Sequence, residues 1–177
     1  MSKPQVRHAL ASDMPTLLSI YNHYVVQTHI TFDLEPRTLE QRLQWFADFS
    51  SVGRHQCFVA EESGMPIGWA SSSPFKERAA YDTSVETSVY LAPDATGRGI
   101  GRKLYETLFD ALRHADAHRA YGGIAQPNEA SVRLHKRMGF RCVGTYREVG
   151  RKFGRFWDVA VYERPLGREP LATSGRA

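Results

Sequence analysis

Three glycines at alternate positions, Gly97, Gly99 and Gly101, mark the stretch of the chain best suited to binding chemistry. Apolar and β-branched residues alternate just before them, over residues 85–91, which predicts a strand. Leucines recur every four residues from Leu104 onward, which predicts an amphipathic helix. Glycines at the start of a helix let the backbone approach a ligand, and the free N–H groups and the helix dipole favour an anion there. The sequence therefore predicts a phosphate or pyrophosphate site between the strand and the helix.

The spacing of the glycines distinguishes this loop from two known phosphate-binding motifs. A dinucleotide fingerprint runs G-x-G-x-x-G directly after a strand, whereas the run here is G-x-G-x-G. A Walker loop counted from Gly97 requires a glycine where Arg102 stands. An ordinary turn between a strand and a helix is the alternative explanation for the loop.

Residues 96–101, TGRGIG, resemble the Q/R-x-x-G-x-G/A loop of the GNAT superfamily of N-acetyltransferases. Thr96 departs from the pattern, because Gln or Arg usually holds its position. The resemblance extends over residues 6–166, and a second motif at 128–140 supports it. In the superfamily an Asn at the position of Asn128 commonly bonds the pantetheine arm of coenzyme A, and a Tyr usually stands where this chain has His135.

His135 is itself informative, since a histidine at this position is characteristic of the phosphinothricin acetyltransferase group. Further stretches similar to that group are Tyr-Asn-His-Tyr at 21–24, the loop at 74–81, Glu86, and Trp-Asp at 157–158. The group includes methionine sulfoximine acetyltransferases and acts on small amino-acid analogues. The resemblance implies acetyl-CoA as co-substrate, no metal, and a homodimer.

Length and composition set outer limits on these interpretations. A chain of 177 residues suits one domain, which we place at residues 1–166, followed by a polar tail at 167–177. We expect a cytoplasmic protein without a membrane partner, because no apolar run approaches the roughly 20 residues of a membrane helix and the N-terminus lacks a signal-peptide core. The net charge of +4 favours anionic ligands without requiring nucleic acid. Cys57 and Cys142 lie in apolar, strand-like stretches and are expected in the core.

The predicted element order is βααβββαβαββ, which indicates an α+β fold around one mixed sheet. The resemblance implies a GNAT-type fold, with a mostly antiparallel sheet flanked by helices and splayed between the strands at 85–91 and 119–125. Thr38 and Gln41 fit a capping box that opens the second helix. We expect the helix after the glycine loop to reach about residue 117, and the last two strands, 140–147 and 157–164, to flank a turn at 150–156.

Acetyl transfer from a thioester to an amine needs a base for the ammonium proton and a donor for the oxyanion. Glu86 is the first candidate base, since strand alternation points it away from Val85 and Thr87 and the resembling group has Glu here. His135 is the second, as base or as acid toward the sulfur, because an imidazole titrates near about pH 6.5. An exposed strand acid and a helix-surface histidine are the alternatives. Direct attack in a ternary complex needs no enzyme nucleophile, so neither cysteine is given that role.

The coenzyme-binding residues follow from the resemblance. In the superfamily the central strand separates from its neighbour and pantetheine pairs with the exposed edge, so the amide near Val89 or Tyr90 would donate to the oxyanion. The backbone of residues 97–102 would hold the pyrophosphate. The complete predicted set is Val89, Tyr90, Leu91, Gly97, Arg98, Gly99, Ile100, Gly101, Arg102, Asn128 and Ser131.

The loop before the central strand is predicted to bind the acceptor. A guanidinium binds a carboxylate through two parallel hydrogen bonds, so we assign Arg78 to an amino-acid carboxylate. Aromatic residues, Tyr81 among them, would wall the side-chain pocket, and a charged surface loop is the alternative. The complete acceptor-binding set is Phe32, Phe75, Lys76, Arg78, Glu86 and Thr87.

The function that these observations favour is acetyl transfer from acetyl-CoA to the α-amino group of a small amino-acid analogue such as phosphinothricin or methionine sulfoximine. Two alternatives stay open: an N-acetyltransferase for a protein N-terminus or a polyamine, and a catalytically silent acyl-CoA or RNA-binding module. Lys76 and Arg78 argue against a polyamine. The basic and aromatic run at 150–157 is interpreted as a hairpin tip, with Phe156 and Trp157 packed inward or at a subunit contact, and not as a nucleic-acid site.

Overall fold

The computed structural model describes residues 3–167 and has one mixed sheet with helices on both faces. The strands are β1 Gln5–His8, β2 Cys57–Glu62, β3 Met65–Pro74, β4 Ser84–Leu91, β5 Arg119–Ala125, β6 Arg141–Lys152 and β7 Arg155–Pro165. The helices are α1 Met14–Gln27, α2 Leu39–Phe46, α3 Ile100–Leu112 and α4 Glu129–Arg137. Short 3-10 turns occur at Ala11–Asp13, Ala79–Tyr81 and Pro93–Ala95.

The sheet divides at its centre. The strand order is β1-β2-β3-β4-β5-β7-β6, and every neighbouring pair is antiparallel except β4 and β5. β4 and β5 pair only from Ser84 opposite Arg119 to Glu86 opposite Tyr121, although both strands continue beyond that point. The predicted splay between these two strands is therefore confirmed.

Side chains occupy the space where the two strands begin to separate. The Thr87 hydroxyl donates to the Tyr121 carbonyl at 3.1 Å, immediately after the last backbone pair. His135 lies against β5, where a Cβ on Gly122 would approach His135 Nε2 to 2.9 Å. The glycine is required because the imidazole occupies the place where a side chain would stand.

The two faces of the sheet are covered by different helices. α3 packs its leucine stripe on one face, and Leu104, Leu108 and Leu112 are fully buried there. α1 packs on the other face, where Leu17 and Trp69 belong to a second apolar cluster. β4 thus lies between two separate cores, with Val85 in the α3 core and Tyr90 packed against the other.

Several sequence predictions are confirmed at the level of single residues. β5 has the predicted bounds, and the capping box is present, with the Gln41 amide N–H donating to Thr38 Oγ1 at 3.2 Å. Cys57 is buried.

Across the described residues, no helix has both the length and the apolar character needed to cross a membrane. The predicted tail at 167–177 lies outside the described residues from position 168 onward.

Three predictions were wrong. α3 ends at Leu112 and not near residue 117, because the chain must turn so that the His118 amide, just before β5, can donate to the Thr83 carbonyl, just before β4. β6 and β7 continue through the expected turn at 150–156 and reverse only at Phe153 and Gly154, both of which have positive φ. Cys142 is exposed and not in the core, because β6 is the edge strand of the sheet.

Candidate active site

The fork between β4 and β5 forms a narrow cleft. Its walls carry Thr87 and Val89 on β4 and Gly123 and Ile124 on β5, and α3 and α4 close its back. Beyond Glu86, the edge of β4 that faces β5 pairs with no strand among residues 3–167. An extended ligand can therefore pair with this edge as an added strand would.

The register of β3 and β4 indicates which backbone groups face the cleft. The Ala92 amide, just after β4, donates to the Ile67 carbonyl of β3. From there the pairing of β3 with β4 continues without a shift in register down to Val85. Amides in a strand alternate in direction, so Tyr90 points toward β3 and Val89 points into the cleft. Of the two predicted oxyanion donors, Val89 has the suitable orientation. The Leu91 carbonyl accepts from the Tyr24 hydroxyl at 2.6 Å.

The glycine loop has the geometry of an anion cradle. Gly97 and Gly99 have φ values of 73° and 77°, and a Cβ built on either would meet nothing within 4 Å. Both therefore need glycine for their backbone conformation, and both face open space. Gly99 caps α3, whose first N–H groups have no partner within the helix. Gly101 serves packing instead, since its Cβ would lie 3.2 Å from Leu134.

The two arginines of this loop are engaged with carboxylates. Arg98 donates to Glu62 at 2.7 Å, and Arg102 donates to Glu106 at 2.7 Å. The Thr96 hydroxyl donates to the Pro93 carbonyl at 2.9 Å, so this departure from the family pattern serves as a local cap. The backbone and the helix terminus supply the main attraction for an anion here.

Glu86 lies on the face of the sheet opposite the α3 core. Val85 and Thr87 are buried beside it and Glu86 is exposed, which confirms the predicted alternation. Even so, the surrounding protein displaces enough water to raise the pKa of its carboxyl group through desolvation. A Cβ on Gly123 would lie 3.9 Å from Glu86 Oε1, so the carboxylate stands at the mouth of the cleft.

His135 is buried at the back of the cleft and not on a helix surface. Its Nδ1 donates to the Ser131 carbonyl at 2.8 Å, which leaves Nε2 to accept from the Tyr105 hydroxyl at 3.2 Å. Burial lowers the pKa of His135, and its hydrogen bond to Ser131 opposes that shift. Burial therefore favours the neutral imidazole, and its two partners hold the ring in one orientation.

Tyr105 is the residue of this site that sequence reasoning missed. It is completely buried, and desolvation raises the pKa of its phenol well above the ordinary value. The one available signal was a tyrosine beside the apolar stripe of α3, where its hydroxyl must find a buried partner. Only the packing of α3 against α4 shows that this partner is His135.

The start of α4 brings the remaining predicted coenzyme residues to the cleft. Asn128 caps the helix, and its Oδ1 accepts from the Ser131 amide at 3.1 Å. Both residues line the cleft beside Val89. The structure thus brings together the cleft, the loop and the α4 cap.

The predicted acceptor residues fall into two groups. Phe75 stacks on Tyr121, the residue paired with Glu86, at a centroid distance of 4.2 Å, and Lys76 lies over the Phe75 ring. Arg78 is exposed in the same loop. Phe32 lies in the segment after α1, where a Cβ on Gly150 would approach its ring to 2.4 Å. The Thr87 hydroxyl is hydrogen-bonded to the Tyr121 carbonyl, where β4 and β5 separate.

A divided sheet, a glycine cradle at the start of α3 and a carboxylate at the mouth of the cleft form the arrangement expected from the resemblance. The sequence profile described as an acetyltransferase (GNAT) domain matches residues 6–161. The chain belongs to the GNAT acetyltransferases. It is therefore an enzyme of the N-acetyltransferase class.

Individual GNAT proteins are similar over nearly the whole length. A phosphinothricin N-acetyltransferase of Streptomyces coelicolor is 60% identical over 92% of this chain and 96% of its own. An L-methionine sulfoximine/L-methionine sulfone acetyltransferase of Salmonella typhimurium is 34% identical over 91% of this chain and 94% of its own. The crystal structure of a GNAT phosphinothricin acetyltransferase from Sinorhizobium meliloti in complex with AcCoA superposes with a TM-score of 0.86 at 32% identity, covering 98% of this chain and 93% of that one.

Proposed function

We propose that this GNAT enzyme transfers the acetyl group of acetyl-CoA to the α-amino group of a small amino-acid analogue of the phosphinothricin or methionine sulfoximine type. The observation that carries the proposal is the position of Glu86, at the mouth of the β4–β5 cleft and on the face away from the glycine cradle. The names of the relatives in S. coelicolor and S. typhimurium support the choice of acceptor.

Acetyl-CoA fits the groups that the site presents. The open loop at Gly97 and Gly99 suits its diphosphate, and the free edge of β4 suits its pantetheine amides. The Val89 amide then points toward the thioester oxygen, where it would stabilise the oxyanion that forms on attack. Asn128 and Ser131 complete the opposite wall.

Glu86 is the proposed base for the ammonium proton of the acceptor. A carboxylate whose pKa is raised by desolvation is a stronger base than an ordinary glutamate. His135 has its Nδ1 and Nε2 engaged with Ser131 and Tyr105, so we assign it to positioning the Tyr105 hydroxyl at the back of the cleft. Burial raises the pKa of the Cys57 thiol to about 12, which agrees with direct attack without an enzyme thiolate.

The acceptor would enter past the loop that carries Lys76 and Arg78. Both side chains are exposed beside Phe75, next to the Glu86–Tyr121 pair. These cations suit the carboxylate of an amino acid and repel a polyamine. We therefore keep Arg78 as the proposed partner of the α-carboxylate.

We also propose a homodimer that uses β6. This edge strand and its hairpin expose five large apolar side chains that are between 49% and 61% accessible: Val143, Tyr146, Val149, Phe153 and Phe156. An unpaired edge strand with such a surface favours association with a second copy. Phe156 was expected to pack inward or at a subunit contact. Because its side chain is exposed, only the subunit contact remains.

A thiol-release assay tests the proposed activity. The protein is mixed with acetyl-CoA and a panel of phosphinothricin, methionine sulfoximine, methionine sulfone, a polyamine and a peptide amine. We expect free coenzyme A with the amino-acid analogues and a product acetylated on the α-nitrogen by mass spectrometry. No thioester consumption with any amino-acid analogue would refute the proposal.

A further inference from the structure

A second cavity opens on the α1/α2 side of β4, away from the coenzyme cleft. Its volume is about 380 Å³, within the range of roughly 300–1,000 Å³ typical of small-molecule sites. The floor is formed by the β3 and β4 residues that face α2: Trp69, Ser71, Ser73, Ser88 and Tyr90. Ser73 pairs directly with Glu86 across the two strands. The cavity therefore begins next to the proposed base.

Arg42 lines this cavity, and two of its guanidinium nitrogens are buried without a hydrogen-bond partner among the described residues. Arg42 lies on α2 and is 6% exposed, and the two nitrogens are Nε and Nη2. It lies 3.6 Å from the centroid of the Trp45 ring and 4.5 Å from that of Trp69. Desolvation lowers the pKa of Arg42 to about 10, so it is still a cation at neutral pH.

The other charges that line the cavity are already paired. Asp33 accepts from Arg37 at 2.6 and 2.7 Å and from the Tyr21 hydroxyl at 2.8 Å. Neither Asp33 nor Arg37 therefore leaves a free charge, whereas Arg42 does. The unbalanced charge of the cavity is positive.

A buried cation without a hydrogen-bonded partner is costly, and stacking on aromatic rings offsets only part of that cost. If Arg42 only filled space between Trp45 and Trp69, an apolar side chain would pack there without the penalty. The serine hydroxyls on the floor also suit a polar ligand. Nε and Nη2 are themselves buried, so a shift of the guanidinium toward the cavity would let an anion complete their hydrogen bonding through two parallel bonds.

We propose that this Arg42 cavity receives the side chain of the acceptor and that Arg42 binds an anionic group at its far end, a phosphinate or a carboxylate. The inference rests on the proposed function, because it places the acceptor amine at Glu86. It also ranks the two candidate acceptors. Phosphinothricin carries an anionic phosphinate at the end of its side chain, whereas methionine sulfoximine and methionine sulfone carry neutral groups of similar shape. The enzyme should therefore prefer phosphinothricin.

The test compares kcat/KM for phosphinothricin and methionine sulfone in the wild type and in Arg42→Met. Methionine can occupy the space between the tryptophans without a charge. A hydrogen bond to a charged group is worth enough that its loss should lower kcat/KM for phosphinothricin roughly 10- to 100-fold. The sulfone should change by less than about 3-fold, because no charged partner is lost.

Two control variants separate this effect from others. Arg133→Gln removes a surface charge on α4 and should leave both acceptors unchanged. Arg78→Ala should weaken both acceptors alike, since both carry the α-carboxylate. A thermal melt of Arg42→Met shows whether the variant is folded.

Three results would overturn the inference. One is an equal loss for both acceptors in Arg42→Met, which would place the shared α-carboxylate at Arg42. Another is no loss for either. The third needs no variant: a wild-type enzyme that acetylates methionine sulfone as efficiently as phosphinothricin has no anion-selective subsite. Failure of the wild type to acetylate any amino-acid analogue would refute the proposed function itself.

Discussion

Replacing Glu86 with Gln tests the proposed base directly. The amide keeps the size and shape of the side chain and removes its ability to accept the ammonium proton. Glu86 is exposed, and only desolvation shifts its pKa, so no ion pair is broken by the change. The substitution is therefore expected to act on chemistry and not on folding.

The magnitude follows from the partial exposure of the carboxylate. A positioned general base contributes about 10²- to 10⁴-fold to rate. Water can reach this site and replace part of the function, so we expect the lower end, about 10²-fold in kcat. That loss corresponds to about 2.7 kcal/mol, at about 1.36 kcal/mol for each factor of ten.

The pH dependence gives a second readout. Because desolvation raises the pKa of Glu86, the acid limb of the wild-type kcat/KM profile should lie above the value of about 4.3 for a free glutamate. This limb should disappear in Glu86→Gln. Stability should move the other way: a carboxyl group whose pKa is raised on folding penalises the native state above that pKa, and the penalty fades as the pH falls through it. The variant should therefore melt at the same or a higher temperature at pH 7.

The measurements are thiol release at saturating acetyl-CoA across pH and a thermal melt at pH 7. Glu77→Gln is the matched control, since Glu77 is an exposed acid in the loop before β4 and has no assigned role. A Glu86→Gln enzyme within about threefold of wild type would refute the assignment of the base. A lower melting temperature would contradict the argument from the raised pKa.

Three further predictions test other parts of the site. Gly99→Val should raise the KM for acetyl-CoA at least about tenfold. Gly64→Val is the control: Gly64 has a similar φ of 82° and open space around it, so this variant should show only the backbone strain of about 1–3 kcal/mol. An unchanged KM in Gly99→Val would refute the assignment of this loop to the diphosphate. His135→Ala should lower kcat about 10²-fold. If His135 acts through the phenol, Tyr105→Phe should reproduce part of that loss. Near-wild-type rates in both variants would refute a catalytic role for the His135–Tyr105 pair. Tyr146→Lys should convert the proposed dimer to a monomer in sedimentation, and an unchanged mass would exclude β6 as the contact.

Local sequence patterns predicted the elements whose signals depend on neighbouring residues. The strand–loop–helix at β4 and α3, the capping box at Thr38 and the bounds of β5 all follow from periodicity and cap chemistry. The last hairpin was mistaken because Gly150 resembles a turn residue, yet it pairs with Trp157 inside the ladder. The real turn places Phe153 at a φ of 52°, a conformation that its residue type does not suggest.

The glycine loop and Glu86 could be singled out from the sequence, whereas Tyr105 and Arg42 could not. The glycine loop and Glu86 lie in one continuous stretch, so their spacing carries the information. Tyr105 and Arg42 take their meaning from residues far away in the sequence: His135 for the first, Trp69 and the β3 serines for the second. No local pattern distinguishes a buried arginine without a partner from an ordinary helix-surface arginine.

The alternation of β4 suggests why one scaffold can take different acceptors. Val89 and its odd-numbered neighbours direct backbone groups toward the coenzyme cleft. The side chains of Ser88 and Tyr90 line the Arg42 cavity, and Glu86 pairs with Ser73 of its floor. The proposed coenzyme-binding loop and the proposed acceptor-binding residue therefore lie on different elements and on opposite faces of one strand. A substitution on α2 can then change the charge that meets the acceptor without moving Gly99 or the Val89 amide. We therefore expect substitutions at Arg42 to change which acceptor is used, and substitutions at Glu86 to change the rate of proton transfer.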